Sequence, residues 1–214
     1  MCGSYELKAK ARELNRRFTQ LHLGQGDMPR TEEMHPTDPV LMITACRTGH
    51  SGSQAHWGLV GSFLDRAPSR PLITVPGEGL ASRPFYSKIL RRNRCLIPAT
   101  AFHEWQASAH GKQKMRISQP TGGVLMFAGI FDHHPLAGTT CAILTTAADE
   151  AVKRINERMP VILDSEECSF WLSEHVDFPD SEFESMLQTP SRHRLMIEAV
   201  IEEEPSPQLS LVFG

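Results

Sequence analysis

The chain has 214 residues, 40% hydrophobic and 22% charged, with a formal net charge of −3 at pH 7. That length suits one large domain with a sizeable core, and the negative balance argues against indiscriminate binding to nucleic acid. No apolar run approaches the ~18 residues of a membrane span, and five scattered cysteines, Cys2, Cys46, Cys95, Cys141 and Cys168, argue against a disulfide framework.

The chain opens Met1-Cys2-Gly3. Removal of Met1 would turn Cys2 into a 1,2-aminothiol, with an amine of ordinary pKa ~8 beside a thiol of ~8.5. Such a pair condenses with an aldehyde to an imine, which the thiolate closes to a five-membered thiazolidine, a reaction closed to any internal cysteine. Charges interrupt residues 5–23 every few positions, so no secretory signal is read and a reducing, cytoplasmic setting is expected. Leu7, Ala11, Leu14, Phe18 and Leu21 recur at helical spacing and predict an amphipathic helix from Tyr5 to Leu23, ended by Gly24 and Gly26.

Short apolar runs bounded by Pro or Gly predict strands at Val40 to Ala45, Leu72 to Val75, Cys95 to Ile97, Met115 to Ser118, Val124 to Ile130 and Cys141 to Thr145. Helices are predicted at Asp149 to Asn156, Ser165 to Glu174 and Asp180 to Gln188, and a last strand at Arg194 to Ile201. Strands in the middle with flanking helices and no βαβ alternation predict an α+β fold. The expectation is a single domain over 1–214, with a curved, partly closed, mainly antiparallel, barrel-like sheet.

From Arg83 to Arg94 the chain carries Arg83, Lys88, Arg91, Arg92 and Arg94 without an acid. Such a run is most often a solvated face. The interleaved Phe85 and Tyr86 leave open a surface that follows the backbone of single-stranded nucleic acid. No CxxC or HxxxH spacing occurs, so no metal is expected, and no cofactor or oligomer signal is present.

Four segments in order form a wider pattern: Met1-Cys2-Gly3; His56-Trp57-Gly58-Leu59; Arg94-Cys95-Leu96-Ile97-Pro98 through Phe102-His103-Glu104-Trp105; and Arg158-Met159-Pro160-Val161-Ile162-Leu163. The chain resembles the SRAP family, the SOS-response-associated peptidases and abasic-site processing proteins. The resemblance weakens after about Gln188. It implies a groove for single-stranded DNA and self-catalysed removal of Met1, the origin of the peptidase label. It also implies a thiazolidine crosslink between Cys2 and the ring-opened aldehyde of an abasic site, in the response to DNA damage. Glu104 matches the glutamate of the family's F-Y-E-W motif, where a carboxyl group would move protons during ring opening, imine formation and reversal. Arg158 and, more weakly, Trp57 join Arg83, Lys88 and Arg91 as DNA-contact candidates.

The departures from the family pattern matter equally. Asn156 stands where the family's H-x-R-M-P motif has histidine, and an amide cannot accept and return a proton at neutral pH. Thr74 replaces an asparagine, Pro76 a DNA-contacting arginine, and Ser4 the arginine common after Met-Cys-Gly. His103 replaces a tyrosine beside Glu104; strand neighbours point to opposite faces, so the two are not expected to share a pocket. The leading expectation is therefore a lyase-like protein that captures abasic single-stranded DNA through Cys2, aided by Glu104, Thr74 and Asn156. The alternatives are a non-covalent single-strand binding module with a degenerate site, and a self-processing thiol peptidase without a DNA role.

Overall fold

The computed structural model describes residues 3–18, 20–24, 26–108, 111–173, 180–188 and 194–201. In chain order the elements are β1 (Ser4–Glu6), α1 (Ala11–Arg17), β2 (Leu21–His22), β3 (Glu33–Met34), β4 (Pro39–Cys46), β5 (Gly49–Trp57), β6 (Thr74–Pro76) and α2 (Pro84–Arg92). They continue with β7 (Arg94–Ala99), β8 (Ala101–Ser108), β9 (Gly111–Ser118), β10 (Leu125–His134), β11 (Gly138–Ala147), a 3₁₀ turn (Val152–Arg154), β12 (Arg158–Pro160), β13 (Ile162–Leu163), α3 (Ser165–Trp171), α4 (Asp180–Gln188) and β14 (Met196–Ala199).

The α+β expectation holds, and the closure has a definite origin. Antiparallel pairing runs β11–β10–β7–β4–β5, and β5 returns to β11 in parallel through Thr140↔His56 and Cys141↔Trp57. Five strands thus close a ring, which removes its free edges. The segment from β12 to β13 enters this wall as a wedge. β12 pairs with the far end of β11 (Thr146↔Met159), β13 pairs with β10 (Phe127↔Ile162), and Val161 bonds both ways, its N–H to Leu144 and its carbonyl to Ala128.

A second sheet, ordered β14–β9–β8–β1–β3, is joined to the barrel where β7 runs through Thr100 into β8. The Thr100 N–H and hydroxyl both donate to the Glu6 carbonyl, which pins the crossover to β1. Tyr5 and Phe102 occupy one face of this sheet and meet barrel residues edge-on, with ring centroids 5.2 Å apart for Tyr5–Trp57 and 6.0 Å for Phe102–Phe127. These aromatic residues are fully buried and tie the sheet to the core.

The helix expected from Tyr5 to Leu23 is corrected. Residues 4–6 form β1, helix is confined to Ala11–Arg17, and Leu21 begins β2. Leu7, Leu14, Phe18 and Leu21 are all buried as their spacing implied, but Tyr5 is committed to the sheet core and Gln20, at φ 59°, turns the chain away. The segment Asp149 to Asn156 shortens to the 3₁₀ turn, and Glu174, the expected end of α3, lies outside the described residues. Among the described residues no helix is long and apolar enough to cross a membrane.

Candidate active site

Strand alternation decides which residues of β8 belong together. Ser4↔His103 and Tyr5↔Phe102 are cross-strand pairs, as are His103↔Arg116 and Glu104↔Met115. Phe102 and Glu104 therefore share the face that carries Tyr5, whereas His103 and Trp105 share the opposite one. Glu104 is buried and Trp105 is half exposed, so Phe102 rather than Trp105 is its aromatic neighbour along the strand.

Asn156 reaches Glu104 from outside the sheet. Its Nδ2 donates to Glu104 Oε2 at 2.9 Å, and its Oδ1 accepts the Arg158 N–H at 3.0 Å. The second bond fixes the amide: an oxygen must face a backbone N–H, so the NH₂ group must face the carboxylate. Burial pushes the Glu104 carboxyl above the usual carboxylate range, with the Asn156 hydrogen bond among the effects acting against it. A carboxyl so placed exchanges a proton nearer neutrality than an exposed glutamate does.

Arg158 follows at the start of the wedge. Its guanidinium grips Glu78 through two bonds, at 2.6 and 2.8 Å, and also donates to the Thr145 carbonyl (2.7 Å) and hydroxyl. This bidentate pairing holds the segment after β6 against β11. Burial raises the Glu78 carboxyl, but Arg158 outweighs it and leaves the group below its ordinary value. Thr74 is buried in β6, beside Ile143 of β11. Glu104, Asn156 and Arg158 are thus joined by hydrogen bonds, and Glu78 and Thr74 belong to the neighbouring segment. Cys2 lies outside the described residues.

The cationic candidates divide. Arg83, Lys88 and Arg91 are exposed on or just before α2, a helix that sequence reasoning did not find. Its signals were present: Pro84 at the first helical position, then buried Ile89 and Leu90. Arg83 lies five residues past Glu78, whereas Lys88 lines a groove of about 550 Å³ with Phe63, Phe85 and Asp132. Asp132 pairs with Thr140, at the opposite end of β11 from the Ala147↔Arg158 pair. Arg94 is no surface cation; it is buried against main-chain carbonyls.

Trp57 is corrected as a DNA-contact candidate. Its ring has no exposed surface and its Nε1 donates to the Ile73 carbonyl at 2.8 Å, so it is a core residue with a satisfied donor. The internal thiols divide as well. Cys95, Cys141 and Cys168 are buried, with Cys141 and Cys168 pushed up to about 12 by burial. Among the described residues Cys46 is the one partly exposed thiol. No group of three or more His, Cys, Asp or Glu side chains among the described residues could hold a metal ion.

A closed five-strand barrel extended by a second sheet is a fold that known proteins share. The family model SOS response associated peptidase (SRAP) matches residues 1–203, and the chain belongs to this family. It is 29% identical over 197 residues to abasic site processing protein YoqW of Bacillus subtilis, covering 88% of this chain and 87% of that one. YobE of the same organism, also named an abasic site processing protein, is 29% identical over 187 residues, covering 84% of this chain and 85% of that one. Among solved structures, a Bacteroides thetaiotaomicron protein superposes with a TM-score of 0.80 at 19% identity, over 94% of this chain and 92% of that one.

Proposed function

We propose that this protein captures abasic sites in single-stranded DNA as a covalent adduct of Cys2, formed after Met1 is removed. The observation that carries the reading is Glu104: a buried carboxyl with a raised pKa, held by Asn156, on the strand that pairs with the N-terminal strand β1. Ser4, the first residue of β1, pairs with His103, the residue before Glu104, so β1 begins one position along β8 from the carboxyl. Cys2 lies two positions before Ser4 in the sequence. The membership in a family whose relatives are named abasic site processing proteins supports the same substrate.

The chemistry follows from the groups. The free amine of Cys2 adds to the aldehyde of the opened deoxyribose, and loss of one water gives an imine. The thiol then adds across the C=N bond; sulfur bonds to carbon and the thiol proton ends on nitrogen, which closes the thiazolidine. Glu104 in its protonated form gives a proton to the departing hydroxyl and recovers it from the amine. Asn156 does not titrate; it keeps the carboxyl oriented. Arg83, five residues past Glu78, supplies exposed charge for the phosphate backbone.

The test incubates the mature protein with an oligonucleotide bearing one abasic site, then denatures it. The expected result is an adduct that survives denaturation, is lost in Cys2→Ala and persists in Cys46→Ser. No adduct from protein shown by mass spectrometry to lack Met1 would overturn the reading. A non-covalent module is the second reading, favoured by an Asn156 whose two amide atoms are both engaged and which cannot exchange a proton at neutral pH. It predicts equal affinity for intact and abasic strands in the same assay.

A further inference from the structure

The polar face of β8 carries a network that the chemistry above does not use. His103 is only 2% exposed, yet both ring nitrogens are engaged: Nδ1 lies 3.0 Å from Ser4 Oγ and Nε2 lies 3.1 Å from Glu6 Oε1. Ser4 and Glu6 are the first and last residues of β1 and are themselves buried. Around them, Lys8 and Arg116 pair with Glu6 at 3.0 and 3.1 Å. Lys114 pairs at 2.6 Å with Glu33, whose carboxylate lies 3.6 Å from His103 Nδ1.

The proton positions follow from these partners. Burial raises the Glu6 carboxyl, but Lys8 and Arg116 outweigh it and hold it below its ordinary value, so it is an ionised acceptor. His103 Nε2 must therefore carry a hydrogen. When the ring is neutral, Nδ1 accepts from the Ser4 hydroxyl. When the ring is protonated, Nδ1–H donates to Ser4 Oγ, and the hydroxyl hydrogen turns to Glu33, its other hydrogen-bond partner. The hydrogen bonds of the clamp to β1 are therefore available in either charge state of the ring.

A three-residue strand is short enough to fray or slip, and a slip of one residue exchanges its two faces. Tyr5 fixes β1 from the core side, and His103 fixes it from the other side at the rung nearest the N-terminus. We propose that His103 is a positioning residue for the N-terminal nucleophile: by clamping Ser4 and Glu6 it sets the register of β1 on β8, and so where the segment before Ser4 meets Glu104. This rests on Cys2 being the nucleophile. It also assigns a shared purpose to Ser4 and His103, two departures from the family pattern that contact one another.

Single-turnover crosslinking of the full chain to single-stranded DNA with one abasic site tests this. His103→Phe removes both bonds, and is expected to lower the maximal rate at saturating DNA by about tenfold or more, the scale at which small misplacements of reacting groups act. The DNA concentration at half-maximal rate should stay within about twofold, since no DNA contact is touched. His103→Gln keeps a donor to Glu6 and should recover most of the rate. Ser4→Ala should slow the wild-type background and add nothing to His103→Phe. An unchanged maximal rate in His103→Phe, or a loss confined to the half-saturation concentration, overturns the proposal.

Amide hydrogen exchange separates this from the reading of Cys2. His103→Phe should speed exchange at Tyr5 and Leu7 while leaving Phe127 and Ile143 in the barrel protected. If the wild type forms no adduct, the reading of Cys2 fails on its own. Unchanged protection at Tyr5 and Leu7 overturns the clamp whatever the crosslinking result.

Discussion

At Glu104, burial and the Asn156 amide pull one carboxyl group in opposite directions, and burial prevails. A carboxyl whose folded pKa is raised favours the folded state most when protonated. Its contribution is complete below the unfolded value and is lost as pH rises through the folded value. Glu104→Gln keeps an oxygen for Asn156 and removes the buried charge. The variant should therefore be more stable than wild type at pH 7, with the advantage vanishing below about pH 4, under the ordinary glutamate value. Urea unfolding at pH 4 to 8 measures this; a wild type more stable than the variant at pH 7 would show that the site favours the ionised form. Glu104 and Arg158 were legible because they sit in recognisable motifs. That Asn156 would supply a hydrogen bond was legible from its chemistry, but its partner Glu104 is 52 positions away and no local pattern encodes the pair. Trp57 illustrates the converse, since its motif was clear and its burial was not.

Among the elements, α2 and α3 are joined by one side chain. Arg94, the first residue of β7, donates Nε to the Trp171 carbonyl and Nη1 to the Leu90 carbonyl, each at 2.6 Å, and Nη2 to the Ser173 carbonyl. These are carbonyls at or just past helix ends that lack partners within their helices, and a cation is suited to them. Its guanidinium also lies 5.3 Å from the ring centre of Phe183 in α4. Arg94→Met should lose about 2–4 kcal/mol, from charged hydrogen bonds removed and buried carbonyls left unmet. Arg94→Lys should recover little of this, because one ammonium cannot span the acceptors. Denaturant midpoints with unchanged slopes would measure both; a loss under 1 kcal/mol for Arg94→Met would contradict this account. The elements also show why α2 and the N-terminal helix were misread. The basic run of α2 concealed a short apolar face, and the helical spacing of residues 5–23 belongs to positions drawn from one short helix, one strand and the connections beside them.

For the whole molecule, closure of the barrel governs which thiols can react. Cys95 and Cys141 lie in its wall, fully buried, and Cys168 is buried in α3, with burial raising all three thiols. A thiol held near 12 presents about 10³-fold less thiolate at neutral pH than an ordinary cysteine. In the native protein a disulfide reagent should therefore label Cys46 rapidly, together with Cys2 on the reading above. Cys95, Cys141 and Cys168 should follow only with global unfolding. Peptide mass mapping of timed samples decides this, and native labelling of Cys95 or Cys141 as fast as Cys46 would refute it. The α+β class and most barrel strands were readable from short apolar runs. The parallel return of β5 to β11 was not, because it joins residues such as His56 and Thr140 that are distant in sequence.

The pairing of Ser4 with His103 has a consequence in time. The two residues are 99 positions apart, and a ribosome adding about 5–20 residues per second needs about 5–20 s to span that interval. Until β8 emerges, β1 has no clamp to dock against; until residues 156–163 emerge, Asn156 and the wedge that follows it are missing. The segment that precedes β1 is thus made long before the Glu104 carboxyl and its Asn156 partner are in place. On this order of events, any step at the N-terminus that depends on the assembled site must wait until most of the chain has been made.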